Sequence, residues 1–331
     1  MFRTWLTILM VMVALCGGTC AEGLFSGASY DAGLAVVNGE VYCAGANIGL
    51  GFIPIWRVGR DGLEKVRSRI GGWDNMYALE NELLTIEPVL NIGEMLGSVP
   101  TSTFWARRTD VNTGQTQHVE TFVWNTDDGV CYVFAGQNKI YRDVCAGKKH
   151  TLECLEDGEW VTAAVWTGDQ AWTYETFCVI GDRRADQPEK VALYEFHTGK
   201  VYDVTVLFIR NNLRLNMAAV LEDGVLYYLE GRSFFAWNLA TGEKDTLMRL
   251  PEETDAFILT ETQLMAMSHE HQRAWVIDRN GWKLIQTVEM NVYPQNAALN
   301  EGKLYIRCVY GNATVEVIDL ATGESMLYSL E

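Results

Sequence analysis

The 331-residue sequence predicts an all-β fold, and three features support that prediction. Apolar and polar residues alternate with a period of two through most of the chain, which is the spacing of a strand with one buried face. A short polar turn that ends near a glycine recurs, as "NLATGE" at 238–243 and as "DLATGE" at 319–324. Helical periodicity is not convincing in any stretch.

The alternating stretches are arranged as hairpins. Examples are "GVLYYLEGRSFFAWNLATGE", "GVCYVFAGQNKIYRDV" and "GKLYIRCVYGNATVEVIDLATGE". Each contains an aromatic and β-branched run, a glycine-centred break and a second such run. This pattern predicts antiparallel strands joined by tight turns.

The turns recur with one period. Seven glycines end polar turns in equivalent places, where a positive φ lets the strand reverse. They are Gly62, Gly114, Gly147, Gly199, Gly242, Gly281 and Gly323. The six intervals from 62 to 323 average 43.5 residues, and a second series of seven turns begins at 38, 80, 127, 167, 222, 260 and 300. A repeat of about 40 to 45 residues holding four strands is typical of a propeller blade.

The sequence therefore predicts a single seven-bladed β-propeller of four-stranded antiparallel blades. The expected blades are 28–70, 71–119, 120–156, 157–208, 209–250, 251–289 and 290–331. Two other counts stay open: six if the second blade forms no sheet, and eight if residues 22–30 join one. The last blade takes all four strands from the C-terminal stretch, so we expect closure by packing between the faces of the first and last blades.

The N-terminus, "MFRTWLTILMVMVALCGGTCAEG", has the layout of a signal peptide over residues 1–21, with the propeller domain at 22–331. An apolar run from Trp5 to Cys16 follows one cation, and Thr19 and Ala21 supply a small-x-small cleavage site. We expect export to the cell envelope or the extracellular space. Two alternatives remain: lipid attachment, since "VALC" and "GGTC" each half match a lipoprotein pattern, and a retained membrane anchor.

The charge of the chain excludes one class of partner. The formal net charge is −17, and it becomes −18 without Arg3 of the leader, from 25 basic against 43 acidic side chains. Such a chain repels nucleic acid, so no nucleic-acid partner is expected. The 48% hydrophobic composition is sufficient for a large core.

Six cysteines follow the leader: Cys43, Cys131, Cys145, Cys154, Cys178 and Cys308. In an exported chain an even number allows one or more disulfides. Their spacing is irregular and several lie in alternating apolar runs, where buried free thiols are the simpler interpretation. No cofactor is expected, and metal ligation by cysteine is disfavoured.

With "DLATGE" and "DGVLYY" as its repeated elements, the chain resembles bacterial exported propellers of the quinoprotein-like and receptor-like repeat families. The resemblance covers most of the mature chain at the level of the repeat. Quinoprotein repeats place a tryptophan a few residues after the Thr-Gly turn, and "TGQTQHV", "TGKVYDV", "TGEKDTL" and "TGESMLY" lack it. This departure disfavours quinone chemistry.

Candidate ligand-binding residues come from the loops expected on one face of the ring, around the channel. Exposed aromatic rings stack on sugars or peptide side chains, and paired guanidinium groups bind carboxylates. The candidates are Trp73, Asp74, Arg183, Arg184, Asp186, Arg210, Asn212 and Tyr293. Each also has a structural interpretation, as blade packing or as local charge balance.

His269 and His271 are weak candidates for a metal. Two imidazoles separated by one residue point the same way only in an extended stretch, and a divalent ion would still need a third ligand. The helical H-E-x-x-H spacing is absent, and a polar hairpin tip explains the stretch equally well.

The leading functional hypothesis is a non-enzymatic exported propeller that binds a protein, peptide or glycan at the bacterial cell envelope. Its alternative is a carbohydrate-active enzyme, a lyase or glycosidase, that uses channel carboxylates or the histidines. Membrane association is expected only through an N-terminal lipid or a retained leader.

Overall fold

The computed structural model describes residues 24–27, 33–45, 52–59, 62–70, 76–89, 103–124, 126–182, 190–206, 218–308 and 313–330. Within these ranges the chain forms 29 strands and almost no helix. The first strand, β1 (Leu24–Gly27), precedes the seven repeated sheets.

The first three sheets follow the chain in order. Blade one comprises β2 (Leu34–Val37), β3 (Glu40–Ala44), β4 (Phe52–Gly59) and β5 (Gly62–Ile70). Blade two comprises β6 (Met76–Ala78), β7 (Glu82–Pro88), β8 (Thr103–Asp110) and β9 (Thr116–Val123). Blade three comprises β10 (Asp128–Gly136), β11 (Lys139–Ala146), β12 (Lys149–Glu156) and β13 (Glu159–Thr167).

Four further sheets complete the ring. Blade four comprises β14 (Asp169–Thr173), β15 (Phe177–Gly181), β16 (Val191–Glu195) and β17 (Val201–Asp203). Blade five comprises β18 (Ala219–Glu222), β19 (Val225–Glu230), β20 (Ser233–Asn238) and β21 (Lys244–Arg249). Blade six comprises β22 (Ala256–Leu259), β23 (Gln263–Ser268), β24 (Arg273–Asp278) and β25 (Lys283–Glu289). Blade seven comprises β26 (Asn296–Asn300), β27 (Lys303–Cys308), β28 (Thr314–Asp319) and β29 (Ser325–Ser329).

The prediction of a seven-bladed propeller is confirmed. In every blade the strands pair antiparallel in chain order, and the first strand of a blade lies innermost. A count of six is wrong because β6 to β9 form a full sheet. A count of eight is wrong because residues 24–27 join an existing blade.

Strand β1 is a fifth strand of blade six. It pairs antiparallel with the channel side of β22, with Leu24 opposite Leu259 and Gly27 opposite Ala256. It also lies beside β18 and β26, the innermost strands of the neighbouring blades. The start of the propeller domain therefore runs along the channel wall at blades five to seven.

The predicted series of turn glycines departs from the structure at two positions. In blade six the positive φ belongs to Trp282, at +50°, and not to Gly281. The other departure is in blade three. Gly147 lies between β11 and β12, whereas the turn before the outermost strand of blade three contains Gly158, with φ +86°. Gly158 comes 44 residues after Gly114 and 41 before Gly199, which is the more regular spacing. As a result β13 belongs to the third sheet, although the expected boundary at 156/157 assigns it to the fourth.

The recurrent turn is stabilised by its first side chain. Asp319 Oδ1 accepts hydrogen bonds from the N–H groups of Ala321 and Thr322, each at 3.0 Å, and Gly323 adopts φ +74°. Asn238 makes the same two contacts before Gly242 in blade five. These backbone hydrogen bonds lower the pKa of Asp319. Aspartate and asparagine favour such turns because their side chains bond the backbone that follows.

Buried carboxylates join neighbouring blades. Asp143 Oδ2 of blade three accepts the N–H of Ala171 in blade four at 2.9 Å, and Glu195 Oε1 of blade four accepts that of Gly224 in blade five at 3.2 Å. Glu87 of blade two binds Arg67 of blade one. A buried carboxylate is tolerated only when its charge is compensated, so each of these side chains fixes the position of a neighbouring blade.

The outermost strands of five blades carry a β-bulge. The register shifts in β5, β9, β13, β21 and β25 leave one extra residue in each strand. These extra residues are Val66, Val119, Ala163, Leu247 and Ile285. Bulges twist an exposed edge and disfavour pairing with another chain.

The ring closes between blades seven and one without an exchanged strand, as predicted. Asn300 Nδ2 donates to the Gly39 carbonyl at 2.8 Å, and Arg307 Nε donates to the Ala44 carbonyl at 2.7 Å. Val36 and Val41 of blade one share an apolar cluster with residues of blade seven, including Val315. Closure between these two blades therefore rests on face packing and on these hydrogen bonds, while the N-terminal strand β1 pairs with blade six.

The six cysteines after the leader are all buried, and each is a thiol rather than half of a disulfide. The expected signal peptide, residues 1–21, lies outside the described residues. Among the described residues, the structure contains no helix with the length and apolar character that a membrane span requires.

We expect Gly33→Ala to weaken ring closure. A Cβ at Gly33 would lie 2.3 Å from Nη1 of the fully buried Arg307. Overpacking of this kind should lower the free energy of unfolding by about 2 to 3 kcal/mol. Gly114→Ala is the matched control, since a Cβ there meets nothing within 4 Å and only the positive φ costs about 1 kcal/mol. Urea denaturation measures the free energy of unfolding of both variants. An equal loss of stability in Gly33→Ala and Gly114→Ala would contradict this account of closure.

Candidate functional site

One side of the ring carries the loops that join successive blades and those between the second and third strands of each blade. They share a side because neighbouring strands are antiparallel, and we call it the upper face. Among the described loops, it includes 269–272 of blade six and 290–295, which joins blades six and seven. The candidates Trp73, Asp74, Arg183, Arg184, Asp186, Arg210 and Asn212 lie outside the described residues.

The structure brings together two of the predicted residues on this face. The rings of His269 and Tyr293 are stacked, with centroids 6.2 Å apart and planes at 20°. Tyr293 is 50% exposed. We call this surface the blade-six rim. It consists of His269, His271, Tyr293 and four charged residues: Glu252, Asp255, Arg273 and Glu289.

The two histidines of the blade-six rim have different carboxylate partners. His269 Nδ1 lies 3.6 Å from Asp255 Oδ2, which also accepts the His269 backbone N–H at 2.7 Å. His271 Nδ1 lies 3.7 Å from Glu252 Oε2. The hydrogen bond from His269 lowers the pKa of Asp255. In the described part of the chain, the two histidines belong to no group of three metal-ligating side chains.

An arginine completes the charge pattern of the rim. Arg273 donates to Glu289 at 2.8 Å and to Glu252 at 3.3 Å. Glu252 Oε2 accepts no hydrogen bond from the residues that the structure describes. The rim thus combines an exposed aromatic ring, imidazole nitrogens and carboxylates.

The loop that carries Tyr293 contacts Glu316, a fully buried residue on β28 of blade seven. Glu316 Oε2 accepts the backbone N–H groups of Asn291 at 2.8 Å and Val292 at 3.1 Å. Glu316 Oε1 accepts the Asn291 side-chain amide and the Ser325 hydroxyl, each at 2.6 Å. Three of these hydrogen bonds come from the loop, and the fourth comes from Ser325 on β29. Glu316 therefore anchors the loop to blade seven beside the exposed Tyr293.

A second polar cluster is buried inside blade three. Asp143 Oδ1 lies 2.9 Å from His150 Nδ1, and the Cys131 thiol donates to the Asp143 carbonyl at 3.3 Å. Donor atoms of these three side chains lie within 4.8 Å of one another, a spacing that could hold a metal ion. Burial raises the pKa of the Cys131 thiol.

Sequence reasoning missed the carboxylates of the rim and the buried cluster. Glu252 and Asp255 lie in "PEETDA", the loop from blade five to blade six. Loops that join successive blades were expected on this face, so the same criterion could have selected this loop. Cys131, Asp143 and His150 lie on three consecutive strands, so their approach depends on register. No local pattern in the sequence indicates that register.

No protein-family model and no curated protein matches the sequence. Among solved structures, Sqt1 of Saccharomyces cerevisiae is 10% identical with a TM-score of 0.48, covering 93% of this chain and 88% of that one. A putative 6-phosphogluconolactonase of Bacteroides fragilis is 10% identical with a TM-score of 0.47, covering 93% and 94%. Hsv2 of Kluyvelomyces marxianus is 10% identical with a TM-score of 0.48, covering 88% and 94%.

We expect Glu316→Ala to release the Tyr293 loop. The change leaves the N–H groups of Asn291 and Val292 without their acceptor, and it should lower the free energy of unfolding by about 3 kcal/mol. Amide hydrogen exchange at 291 and 292 should accelerate more than exchange elsewhere in blade seven. Ser325→Ala removes one of the four hydrogen bonds, so it should cost about 1 kcal/mol and leave both amides protected. Unchanged exchange in Glu316→Ala would refute the role of this carboxylate.

Proposed function

We propose that the chain is an exported, non-enzymatic propeller that binds a protein, peptide or glycan at the bacterial cell envelope through the blade-six rim. The observation that carries this proposal is the position of Tyr293. Its ring is half exposed beside His269, while its loop donates three hydrogen bonds to buried Glu316. Rigid, exposed aromatic side chains make effective binding anchors, because little conformational entropy is lost on association.

The charged groups of the rim suit recognition of a polar partner. Glu252, Asp255 and Glu289 supply hydrogen-bond acceptors, while the histidines and Arg273 supply donors. Strand β1 lies along the channel wall at blades five to seven, next to this rim. Binding across the face, rather than deep in the channel, is the mode that this arrangement favours.

Export and an envelope location rest on the N-terminal sequence. Residues 1–21 have the layout of a signal peptide, and the repeats resemble those of bacterial exported propellers. Attachment to the membrane would then come from a lipid on an N-terminal cysteine or from a retained leader.

One observation favours the enzymatic alternative, a lyase or glycosidase. The Asp255–His269 contact is the kind of pair in which a carboxylate orients an imidazole for proton transfer. An exposed tyrosine adjoins it, so the same rim could act on a bound glycan. Turnover of the glycan, rather than its binding alone, separates this alternative from the leading proposal.

The proposal predicts that Tyr293→Ala abolishes ligand capture by the mature chain in a peptide and glycan binding screen. Loss of such an anchor should weaken binding by at least about 2 kcal/mol, or roughly 30-fold in Kd. Tyr293→Phe keeps the ring and should retain most of the affinity. Val165→Ala, at an exposed position on the outer strand of blade three, is the matched control and should bind like the parent.

Three results would overturn the proposal in different ways. Equal binding by Tyr293→Ala and the parent would move the site away from the rim. If Trp73→Ala and Arg183→Ala weaken binding where Tyr293→Ala does not, the site lies at the other sequence-predicted loops. Chemical conversion of a captured glycan would establish the enzymatic alternative instead.

A further inference from the structure

The buried cluster in blade three contains side chains that transition metals prefer as ligands. Cys131, Asp143 and His150 are all less than one tenth exposed. Each offers a donor atom, and the three atoms lie within 4.8 Å of one another. Sulfur, imidazole nitrogen and carboxylate oxygen together form a ligand set typical of zinc rather than of the hard cations calcium and magnesium.

The sheet register makes these side chains converge. Cys131 is the extra residue of a bulge in β10, between the pairs that Val130 and Tyr132 form with β11. Asp143 lies on β11, and His150 lies on β12 opposite Cys145. The Cys145 thiol donates to the Thr126 carbonyl at 2.7 Å, and it does not belong to the group of three converging donors.

Neighbouring groups hold the donors in place. The second oxygen of Asp143 accepts the N–H of Ala171 from blade four at 2.9 Å. The His150 ring stacks on Trp166 with centroids 5.2 Å apart, and Trp166 Nε1 donates to the Asp169 carbonyl at 2.8 Å. Metal ligands in proteins commonly have such outer partners, which fix their orientation.

We infer that Cys131, Asp143 and His150 form a structural binding site for one zinc-like divalent cation. A thiolate and a carboxylate neutralise the two positive charges, and a neutral imidazole adds none, so the filled site carries no net charge in a buried location. The ion displaces the proton of the Cys131 thiol, because the thiolate is the metal ligand.

The separation between the nitrogen and oxygen donors requires only a small adjustment. His150 Nδ1 and Asp143 Oδ1 are 2.9 Å apart. Two ligands of a tetrahedral zinc ion, each at about 2.0 Å, are about 3.3 Å apart. An ion can therefore fit between these two atoms with a movement of a few tenths of an ångström, when the neutral imidazole carries its proton on Nε2. The cluster lies next to the exposed turn at 146–149, which provides a short route from the upper face.

Metal titration of the full chain tests this inference. The protein is stripped with a chelator and titrated with Zn²⁺, and separately with Co²⁺, whose spectrum reports thiolate ligation and tetrahedral geometry. We expect one ion per chain, a cobalt–thiolate charge-transfer band, and a higher Tm with zinc. Cys131→Ser and His150→Gln should each weaken zinc binding by more than the roughly 10- to 100-fold that loss of an outer partner costs.

Cys308→Ser is the matched control, since Cys308 is also buried but lies in blade seven. It should bind both ions like the parent, and circular dichroism confirms that each variant is folded. The inference is overturned if the folded parent takes up neither ion, or if Cys131→Ser keeps the parent's affinity. It is also overturned if peptide mapping finds Cys131 and Cys145 joined by a disulfide in the protein as purified, because the pair would then be a covalent link between β10 and β11.

Discussion

The structure depends on one constraint: a four-stranded wedge-shaped sheet buries both faces only when a neighbour packs against each of them. The side chains at the interfaces between blades reflect this constraint. Asp143 and Glu195 are buried acceptors for backbone N–H groups of the following blade, and blade seven reaches blade one through Asn300. Some of the acidic residues of this chain, whose net charge is −17, are therefore buried. The carboxylates of Asp143 and Glu195 specify the position of the following blade.

The same constraint produces the candidate sites. Glu316 fixes the loop between blades six and seven, and this loop presents Tyr293 next to the histidine hairpin of blade six. The Cys131 cluster lies at the interface where Asp143 holds blade four. Both sites are therefore consequences of packing between blades, and their geometry should persist only while the ring is closed.

The fold was predictable because local, periodic sequence features determine it. These features are the two-residue alternation of the strands and recurrent turns such as the one that begins at Asp319. The boundary between blades three and four was not predictable. Gly147 and Gly158 both end polar turns between similar strands, and only the pairing of strands in the folded chain distinguishes them. For the blade-six rim, the sequence identified Tyr293 and His269 as candidates because both lie in predicted loops. It could not reveal the supporting role of Glu316 or the convergence of Cys131 with His150, since these depend on which side chains meet across strands.

Removal of blade seven tests the central claim most directly. A chain that lacks residues 290–331 loses β26 to β29 and exposes the apolar face of blade one that contains Val36 and Val41. If blades are stable only within a closed ring, the shortened chain should lose the single cooperative unfolding transition of the parent in calorimetry and should bind hydrophobic dyes. A six-blade remainder that unfolds in one transition at the parent's Tm would show that the blades form an open stack, and would contradict the account.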